Sequence, residues 1–297
     1  MNSRSVAFLL AFLAALIYGV SFTIAKEVMP VYVKPFGFIL LRVLGATILF
    51  WVVGLFFKRE KIAVRDYARI ALAAVFGMAL NQLSFFKGLS MTTPVSASVI
   101  MVITPILVLT FSAFIIKEKP TAKKIGGILI GMLGAILLIV LGREIGTAPN
   151  PKLGNLLVFA NASFYSLYLI MIKNLTKKYH PITLANWLYL FGLIIVIPFG
   201  TKEFNMIEWS QLPVGVVYRI GFIVVFTSFM TYMFNLIAIR QLKPTTLSIF
   251  IYLQPVIASA YALLVGSDTL NAVKILATLL IFIGVYLVTR KPREARP

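Results

Sequence analysis

Polar side chains recur inside long apolar stretches of this chain, where no water is at hand to hydrate them. Asn81 and Phe85 lie four residues apart in one such stretch and therefore share a helix face. A polar group in hydrocarbon is costly unless it is paired or faces a water-filled space. Each such residue therefore either bonds a neighbouring helix or lines an internal site for a small solute, and both interpretations stay open. The candidates for that site are Tyr18, Ser21, Arg42, Asn81, Gln82, Phe85, Met101, Thr104, Asn161, Tyr165, Tyr168, Trp187, Tyr232, Asn235, Tyr252 and Gln254.

As a set, these side chains suit a neutral or zwitterionic metabolite with an apolar or aromatic part. Arg42 has a planar fork that can bind a carboxylate at two points. Alternatively, it extends to the membrane surface or pairs structurally with Glu27, and this structural interpretation is preferred. Trp51 and Trp187 suit packing or interface anchoring as well as ligand contact.

Two prolines occupy matched positions in apolar stretches. Proline lacks an amide donor and clashes with the carbonyl four residues earlier. Pro105 and Pro255 therefore free the carbonyls of Met101 and Ile251, which must find another partner. Symmetric kinks at these positions predict two hinges, although prolines are also tolerated in membrane helices without a mechanistic role.

The residues that catalysis or metal binding would need are scarce or badly placed. There is no cysteine and one histidine, His180, which lies beside Pro181 in a polar stretch and is predicted to be a solvated loop residue. No metal, cofactor or catalytic site is predicted. Glu118 and Asp268 are expected to pair with nearby lysines, a role as gates or coupling sites being the alternative. All nine acids fall at the ends of apolar stretches or in loops: Glu27, Glu60, Asp66, Glu118, Glu144, Glu203, Glu208, Asp268 and Glu294.

The composition indicates that these residues are positioned by membrane helices. Hydrophobic residues make up 60% of the chain and charged residues 12%, and the apolar runs are long enough to cross a bilayer. The net charge of +19 does not indicate nucleic-acid binding, because the basic residues form short clusters between apolar runs. Ten spans are predicted, at about 6–26, 36–57, 69–90, 95–116, 123–142, 153–173, 184–200, 214–239, 245–266 and 272–290. The seventh is the weakest, being short and interrupted by Pro198.

The distribution of basic residues predicts the orientation of these spans. With a cytoplasmic N-terminus, 19 of the 28 lysines and arginines lie inside and seven outside, two more being within spans. Basic residues concentrate on the cytoplasmic side of membrane proteins. Both termini are therefore predicted to be cytoplasmic, in an inner or plasma membrane, and the first apolar stretch is read as an uncleaved helix rather than a signal peptide.

The second half of the chain repeats features of the first at an offset of 150 residues. Pro94, Ser98, Pro105 and Gly134 recur as Pro244, Ser248, Pro255 and Gly284, and Glu118 recurs as Asp268. The predicted units are residues 1–145 and 150–297, with five spans each. Because five is odd, the second copy would enter the membrane in the opposite direction. The predicted fold class is thus an all-α integral membrane protein of ten helices in two inverted repeats, an arrangement typical of transporters.

The same residues resemble the EamA type of the drug/metabolite transporter superfamily over nearly the whole chain. The resemblance rests on the order and spacing of Tyr18-Gly19-Val20-Ser21-Phe22, Lys26, Arg42, Phe85-Phe86-Lys87-Gly88-Leu89, Thr93-Pro94-Val95-Ser96-Ala97-Ser98, Thr104-Pro105, Glu118, Ser248, Leu253-Gln254-Pro255 and Asp268. The family more often has Glu at the last of these positions. The resemblance implies a central cavity lined mainly by spans 1, 3, 4, 6, 8 and 9, and export of amino acids or other small metabolites.

A non-enzymatic metabolite exporter that works by alternating access is therefore the leading expectation. Its expected partners are a small-molecule substrate and membrane lipid, with no nucleic acid, in a monomer or homodimer. Export of lipophilic drugs or lipid-linked substrates is the alternative, and it would need a portal facing the lipid. An integral-membrane transferase fits least, because such enzymes usually need carboxylate or histidine clusters.

Overall fold

The computed structural model describes residues 3–29, 31–58, 60–92, 97, 100–140, 150–264 and 272–289, all helical or in short connections. Within the first half the helices are α1 (Ser3–Val28), α2 (Pro35–Gly54), α3 (Val64–Met91), α4 (Thr104–Ile115) and α5 (Ala122–Val140). Within the second half they are α6 (Pro151–Leu175), α7 (Pro181–Phe204), α8 (Val214–Gln241), α9 (244–264) and α10 (Ala272–Thr289). Several residues named above lie outside the described part: Pro94, Ser98, Glu144, Asp268, Glu294 and the side chains of Phe22 and Lys26.

Seven of these helices are long and apolar enough to cross a membrane: α1, α2, α3, α6, α7, α8 and α10. The described residues contain no strand, so the all-helical membrane prediction is confirmed at this level. The seventh predicted span was drawn too short, because α7 runs for 24 residues with Pro198 inside it. Prolines are tolerated within membrane helices because neighbouring groups satisfy the freed carbonyl.

α2 and α7 lie against each other, and each has an acid at its C-terminal end that caps the other. Glu203, in the last turn of α7, accepts hydrogen bonds from the amides of Phe36 and Gly37 at 2.7 and 3.1 Å. Glu60, which follows α2, accepts one from the amide of His180 at 2.8 Å. Negative charge at a helix N-terminus is favourable, because the first amides have no partner within the helix. His180 is therefore a capping residue, and its Nδ1 accepts from the amide of Ile182 at 3.3 Å.

The remaining helices also pair between the two halves of the chain. α5 packs along α10, α3 along α6 and α1 along α8, while α4 contacts α6 and α9, and α1 contacts α9. Helices five places apart are equivalent in the two halves, so α1 corresponds to α6 and α3 to α8. Exchanging equivalent helices turns the α1–α8 pair into the α6–α3 pair. The same exchange turns the α1–α9 contact into the α6–α4 contact. These contacts are therefore matched when the two halves are interchanged.

The crossing of α5 and α10 displays this relation at single residues. A Cβ on Gly127 would lie 2.9 Å from the carbonyl oxygen of Gly284, and one on Gly134 would lie 2.7 Å from that of Ala277. Gly127 and Ala277 are 150 positions apart, as are Gly134 and Gly284, so interchanging the halves maps one contact onto the other. Small residues at these four positions let the two backbones approach closely.

Ion pairs secure the helix ends at the predicted cytoplasmic side. α4 ends at Ile115 and is soon followed by Lys117, whose φ of 52° is left-handed; the next amide, that of Glu118, donates back to the carbonyl of Ser112 at 3.1 Å. The Glu118 carboxylate then accepts from Lys124 at 2.8 Å and from Thr245 at 2.7 Å. The expected pairing of Glu118 with a nearby lysine is confirmed, and it joins the first half to the start of α9.

Candidate functional site

α3 and α8 each contain a widened, π-helical segment near their middle. These segments are Val75–Leu80 and Ile223–Met230, so the first, advanced by 150 residues, overlaps the second. A π turn disturbs the regular backbone hydrogen bonding of a helix and often marks a functional site. Both segments lie within long apolar helices, where a carbonyl that its own helix does not satisfy needs a partner from a neighbouring helix.

Tyrosines supply that contact in the α3 segment. The Tyr232 hydroxyl of α8 donates to the carbonyl of Gly77 at 2.9 Å. The ring of Tyr168, from α6, lies where a Cβ on Gly77 would be. Gly77 is thus required by close approach, and its carbonyl links the two halves.

Arg42 contacts the α8 segment from α2. Its Nε donates to the Ser228 hydroxyl at 3.1 Å, and that hydroxyl donates to the carbonyl of Ile223 at 3.1 Å. The guanidinium carbon lies 5.8 and 5.7 Å from the ring centres of Phe38 and Phe86, within range of cation–π attraction.

The suggested pairing of Arg42 with Glu27 is wrong. Glu27, in the last turn of α1, pairs instead with Arg219, near the start of α8. In the part of the chain that the structure describes, Arg42 has no acidic partner, and only its Nε has a hydrogen-bond partner. Its described contacts are the Ser228 hydroxyl and the rings of Phe38 and Phe86, none of which carries a negative charge. Arg42 is therefore a partly buried cation in a mostly apolar surround.

Four tyrosines form a continuous aromatic cluster beside this arginine, hereafter the tyrosine cluster. The ring centres are 6.1 Å apart for Tyr165 and Tyr168, 6.5 Å for Tyr168 and Tyr232, and 5.0 Å for Tyr232 and Tyr189. The Tyr189 hydroxyl donates to the carbonyl of Ser228 at 2.8 Å. The cluster therefore connects α6, α7 and α8 to both π-helical segments.

α1 approaches the same region through hydroxyl groups. Ser21 and Thr227 share a hydrogen bond of 2.5 Å. Thr231 in turn donates to the carbonyl of Thr227. These contacts hold α1 against the π-helical segment of α8.

A small void lies beside Tyr18 and Tyr165. Its volume is about 20 Å³, enough for about one water molecule. Asn235 and Gln254 contribute its other polar lining groups, and the rest is apolar: Ala11, Ala14, Ala15, Leu247, Phe250 and Ile251. The structure therefore brings together Tyr18, Tyr165, Asn235 and Gln254 of the predicted site around a space of about the size of one water molecule.

Other predicted site residues have packing roles. Asn161 donates to the carbonyl of Asn81 at 2.7 Å, and Asn81 donates back to that of Asn161 at 3.4 Å, which ties α3 to α6. Trp187 packs on Trp51, Tyr67 and Phe191, away from the tyrosine cluster.

Tyr252 and Thr104 are also built into packing. Tyr252 is fully buried, and its ring lies against Gly131 of α5. Thr104 donates to the carbonyl of Met101 at 2.6 Å, so a neighbour satisfies the carbonyl that Pro105 frees. Gln82 is buried and its Oε1 has no hydrogen-bond partner among the described residues, while Phe85 packs edge-on against Phe86.

Sequence reasoning missed Tyr189, Ser228, Thr231 and Gly77. Thr227, Ser228 and Thr231 do form a polar run within an apolar span, and this signal was available. Tyr189 and Gly77 gave none, because single aromatic residues and glycines are common in membrane helices. Among the described residues, no group of three His, Cys, Asp or Glu side chains is placed to hold a metal ion.

Comparison with known proteins decides the family. The EamA-like transporter family matches residues 5–140 and, a second time, residues 152–290. The chain belongs to the EamA-like transporter family. It is a multi-pass membrane protein of that family, and the resemblance recognised in the sequence is confirmed.

Relatives of this EamA-like chain carry transporter names. It is 26% identical over 222 residues to the uncharacterized transporter YyaM of Bacillus subtilis (strain 168), covering 74% of this chain and 71% of that one. An uncharacterized transporter of Archaeoglobus fulgidus is 24% identical over 278 residues, covering 92% and 95%. A crystal structure superposes with a TM-score of 0.78 at 19% identity over 96% of each chain, a likeness of fold alone.

Proposed function

We propose that this chain is a secondary transporter that exports small metabolites, such as amino acids or related compounds, by alternating access. The observation that carries the proposal is the site between the halves. Polar groups of α1, α2, α6, α7 and α8 converge there on two mid-helix π segments and a water-sized void. A chain that belongs to a transporter family and carries convergent polar groups at its centre suits solute passage.

The packing of α5 on α10 supports ten spans in two inverted repeats. Low-numbered residues of α5 contact high-numbered residues of α10, so the two helices run antiparallel. They occupy equivalent places in the two halves, and an antiparallel relation between equivalent helices is what inversion requires. Inverted repeats give two conformations of similar energy, which alternating access needs. In this proposal both termini are cytoplasmic, in the inner membrane, and the protein is a monomer or homodimer with no enzymatic step.

Pro105 and Pro255 suit hinges in this scheme. Pro105 lies in the first turn of α4, directly after the short-range bond from the amide of Ile103 to the carbonyl of Ile100. Pro255 follows a 3₁₀ segment, Ile249–Tyr252, within α9. Both prolines therefore stand where the helix changes its winding, and a change of winding is easier to bend than a regular α-helix.

Export of lipophilic drugs or lipid-linked substrates is the second candidate, and one feature favours it. A surface groove of about 400 Å³ lies between α1, α9 and α10, lined by Phe8, Leu9, Phe12, Phe250, Val285, Tyr286 and Thr289. Phe250 also lines the central void. The groove and the void are therefore neighbours that share one lining side chain.

Counterflow in proteoliposomes tests the proposal. Purified protein is reconstituted, loaded with unlabelled solute and given the labelled solute outside, over a panel of amino acids, sugars, organic cations and lipophilic dyes. We expect saturable exchange of at least one small hydrophilic metabolite, and slower exchange of it by Pro105→Ala at equal protein content. Protein-free liposomes are the control. Exchange of lipophilic dyes alone would favour the second candidate, and no exchange of any solute would contradict transport.

A further inference from the structure

We infer that Arg42 binds the carboxylate of a singly charged organic acid beside the tyrosine cluster, and that the site does not require an amino group. This rests on the proposed transport function and narrows its substrate class. The partial burial of Arg42 and its lack of an acidic partner carry the inference. A cation held in an apolar surround without compensation is unfavourable, so the site gains most from a ligand that supplies the missing negative charge.

The guanidinium is oriented so that its outer nitrogens remain available. Nε is held by Ser228, and the rings of Phe38 and Phe86 lie within cation–π range. Within the described residues Nη1 and Nη2 make no hydrogen bond. These two nitrogens form the paired donors that suit a carboxylate.

A route to these donors exists along the tyrosine cluster. Tyr165 lines the void, and Tyr189, at the other end of the cluster, bonds the carbonyl of Ser228, whose hydroxyl accepts from Arg42. A rearrangement of the cluster would therefore join the void to the guanidinium. The acyl part of the ligand would then contact Tyr165 and the small alanines of α1, which suits an apolar or aromatic chain.

The charges near the site favour a monocarboxylate over an amine or a dianion. Each described acid other than Glu208 has a partner near a helix end: Glu27 with Arg219, Glu60 with His180, Asp66 with Lys178, Glu118 with Lys124 and Glu203 with Phe36. Glu208 lies outside the helices. An ammonium group would therefore find the positive Arg42 and neutral side chains, with no carboxylate. A doubly charged phosphate would bring one negative charge more than Arg42 offsets.

Thermal unfolding of the purified full chain with two matched ligand series tests this assignment. The first series is phenylalanine, 3-phenylpropionate and phenethylamine. The second is leucine, 4-methylpentanoate and isopentylamine. A ligand that binds only the folded protein raises the unfolding midpoint as its concentration rises. We expect the deaminated acid of at least one series to protect at least as well as its amino acid, and neither amine to protect.

Arg42 variants locate the effect. Arg42→Gln is expected to weaken protection by the acid by about tenfold to a hundredfold, because hydrogen bonds to charged groups are lost. Arg42→Lys is expected to be intermediate, since lysine keeps the charge without the fork. Arg219→Gln removes an arginine far from the site and should bind as the wild type does. If Arg42→Gln does not fold, Arg42→Lys and the wild-type comparison of acid with amine still decide.

Several outcomes overturn the inference. These are protection by an amine equal to that by its acid, equal protection by inorganic phosphate, no protection by any acid, or full protection of Arg42→Gln. The proposed function fails separately. Acids that protect the protein without any counterflow would contradict transport alone, whereas counterflow restricted to sugars or organic cations would contradict the carboxylate site alone.

Discussion

The α5–α10 crossing and the central site are both contacts between the halves, yet they differ in symmetry. At the crossing, the contacts of Gly127 and Gly134 exchange when the halves are interchanged. At the centre, positions 150 residues apart carry different chemistry: Gln82 corresponds to Tyr232, and Phe85 corresponds to Asn235. The symmetric region needs only close packing, which identical small residues provide. The asymmetric region surrounds the void and Arg42, where one ligand with different ends would require different groups.

The largest effect is expected from breaking the symmetric crossing. A Cβ on Gly284 would lie 2.6 Å from the carbonyl oxygen of Gly127 and 2.7 Å from backbone atoms of Gly131, none of which can rotate away. Gly284→Ala should therefore lower the free energy of unfolding by about 1–3 kcal/mol or more. The thermal midpoint in detergent, followed by size-exclusion of the heated sample, measures the loss.

Gly126 provides a matched control on α5. A Cβ there meets nothing within 4 Å, so Gly126→Ala should leave the thermal midpoint unchanged or raise it. The better helix preference of alanine would add roughly 0.5–1 kcal/mol at most to the free energy of unfolding. Equal losses in both variants would show that the loss at Gly284 does not come from its contact with α5.

An intermediate effect is expected from the asymmetric centre. Tyr232→Phe removes the donor to the Gly77 carbonyl and leaves that carbonyl in the π-helical segment without its cross-helix partner. The expected stability cost is about 1 kcal/mol, together with a several-fold fall in counterflow rate at equal protein content. At equal protein content, a loss of stability alone should not lower the counterflow rate. The fall in counterflow rate relative to the loss of stability is therefore the informative quantity.

Tyr179→Phe is the same chemical change at a helix end. The Tyr179 hydroxyl donates to Asp66 at 2.9 Å and accepts from the amide of Ala63 at 3.2 Å. We expect a comparable loss of stability with the counterflow rate retained. If the two variants slow transport equally, the centre has no special role and the comparison of the two regions loses its functional meaning.

Much of the fold could be predicted because it depends on signals that extend over many residues. Apolar length identified helices such as α2 and α10, and an offset of 150 residues related Gly134 to Gly284 before either was known to lie in the crossing of α5 and α10. Pro198 misled the prediction, because a single proline was given more weight than the apolar run around it.

The site was less predictable because it depends on local winding and on side-chain direction. A π turn such as Val75–Leu80 leaves no compositional trace, so the contact of Tyr232 with the Gly77 carbonyl could not be foreseen. The amide groups of Asn81 and Asn161 were candidates for either packing or binding, and only the distance between α3 and α6 places them in mutual contact.

The smallest effect is expected from removing single amide side chains, either one that packs two helices together or one that lines the void. Asn161→Ala removes a side chain bonded to a backbone carbonyl of the neighbouring helix, and such bonds contribute about 0.6 kcal/mol on average in membrane proteins. Its counterflow KM should equal that of the wild type. Gln254→Ala removes a group that lines the void and should raise the KM several-fold with little change in the unfolding midpoint. A raised KM in Asn161→Ala with an unchanged one in Gln254→Ala would reverse the assignment and place the ligand between α3 and α6 rather than beside Tyr18.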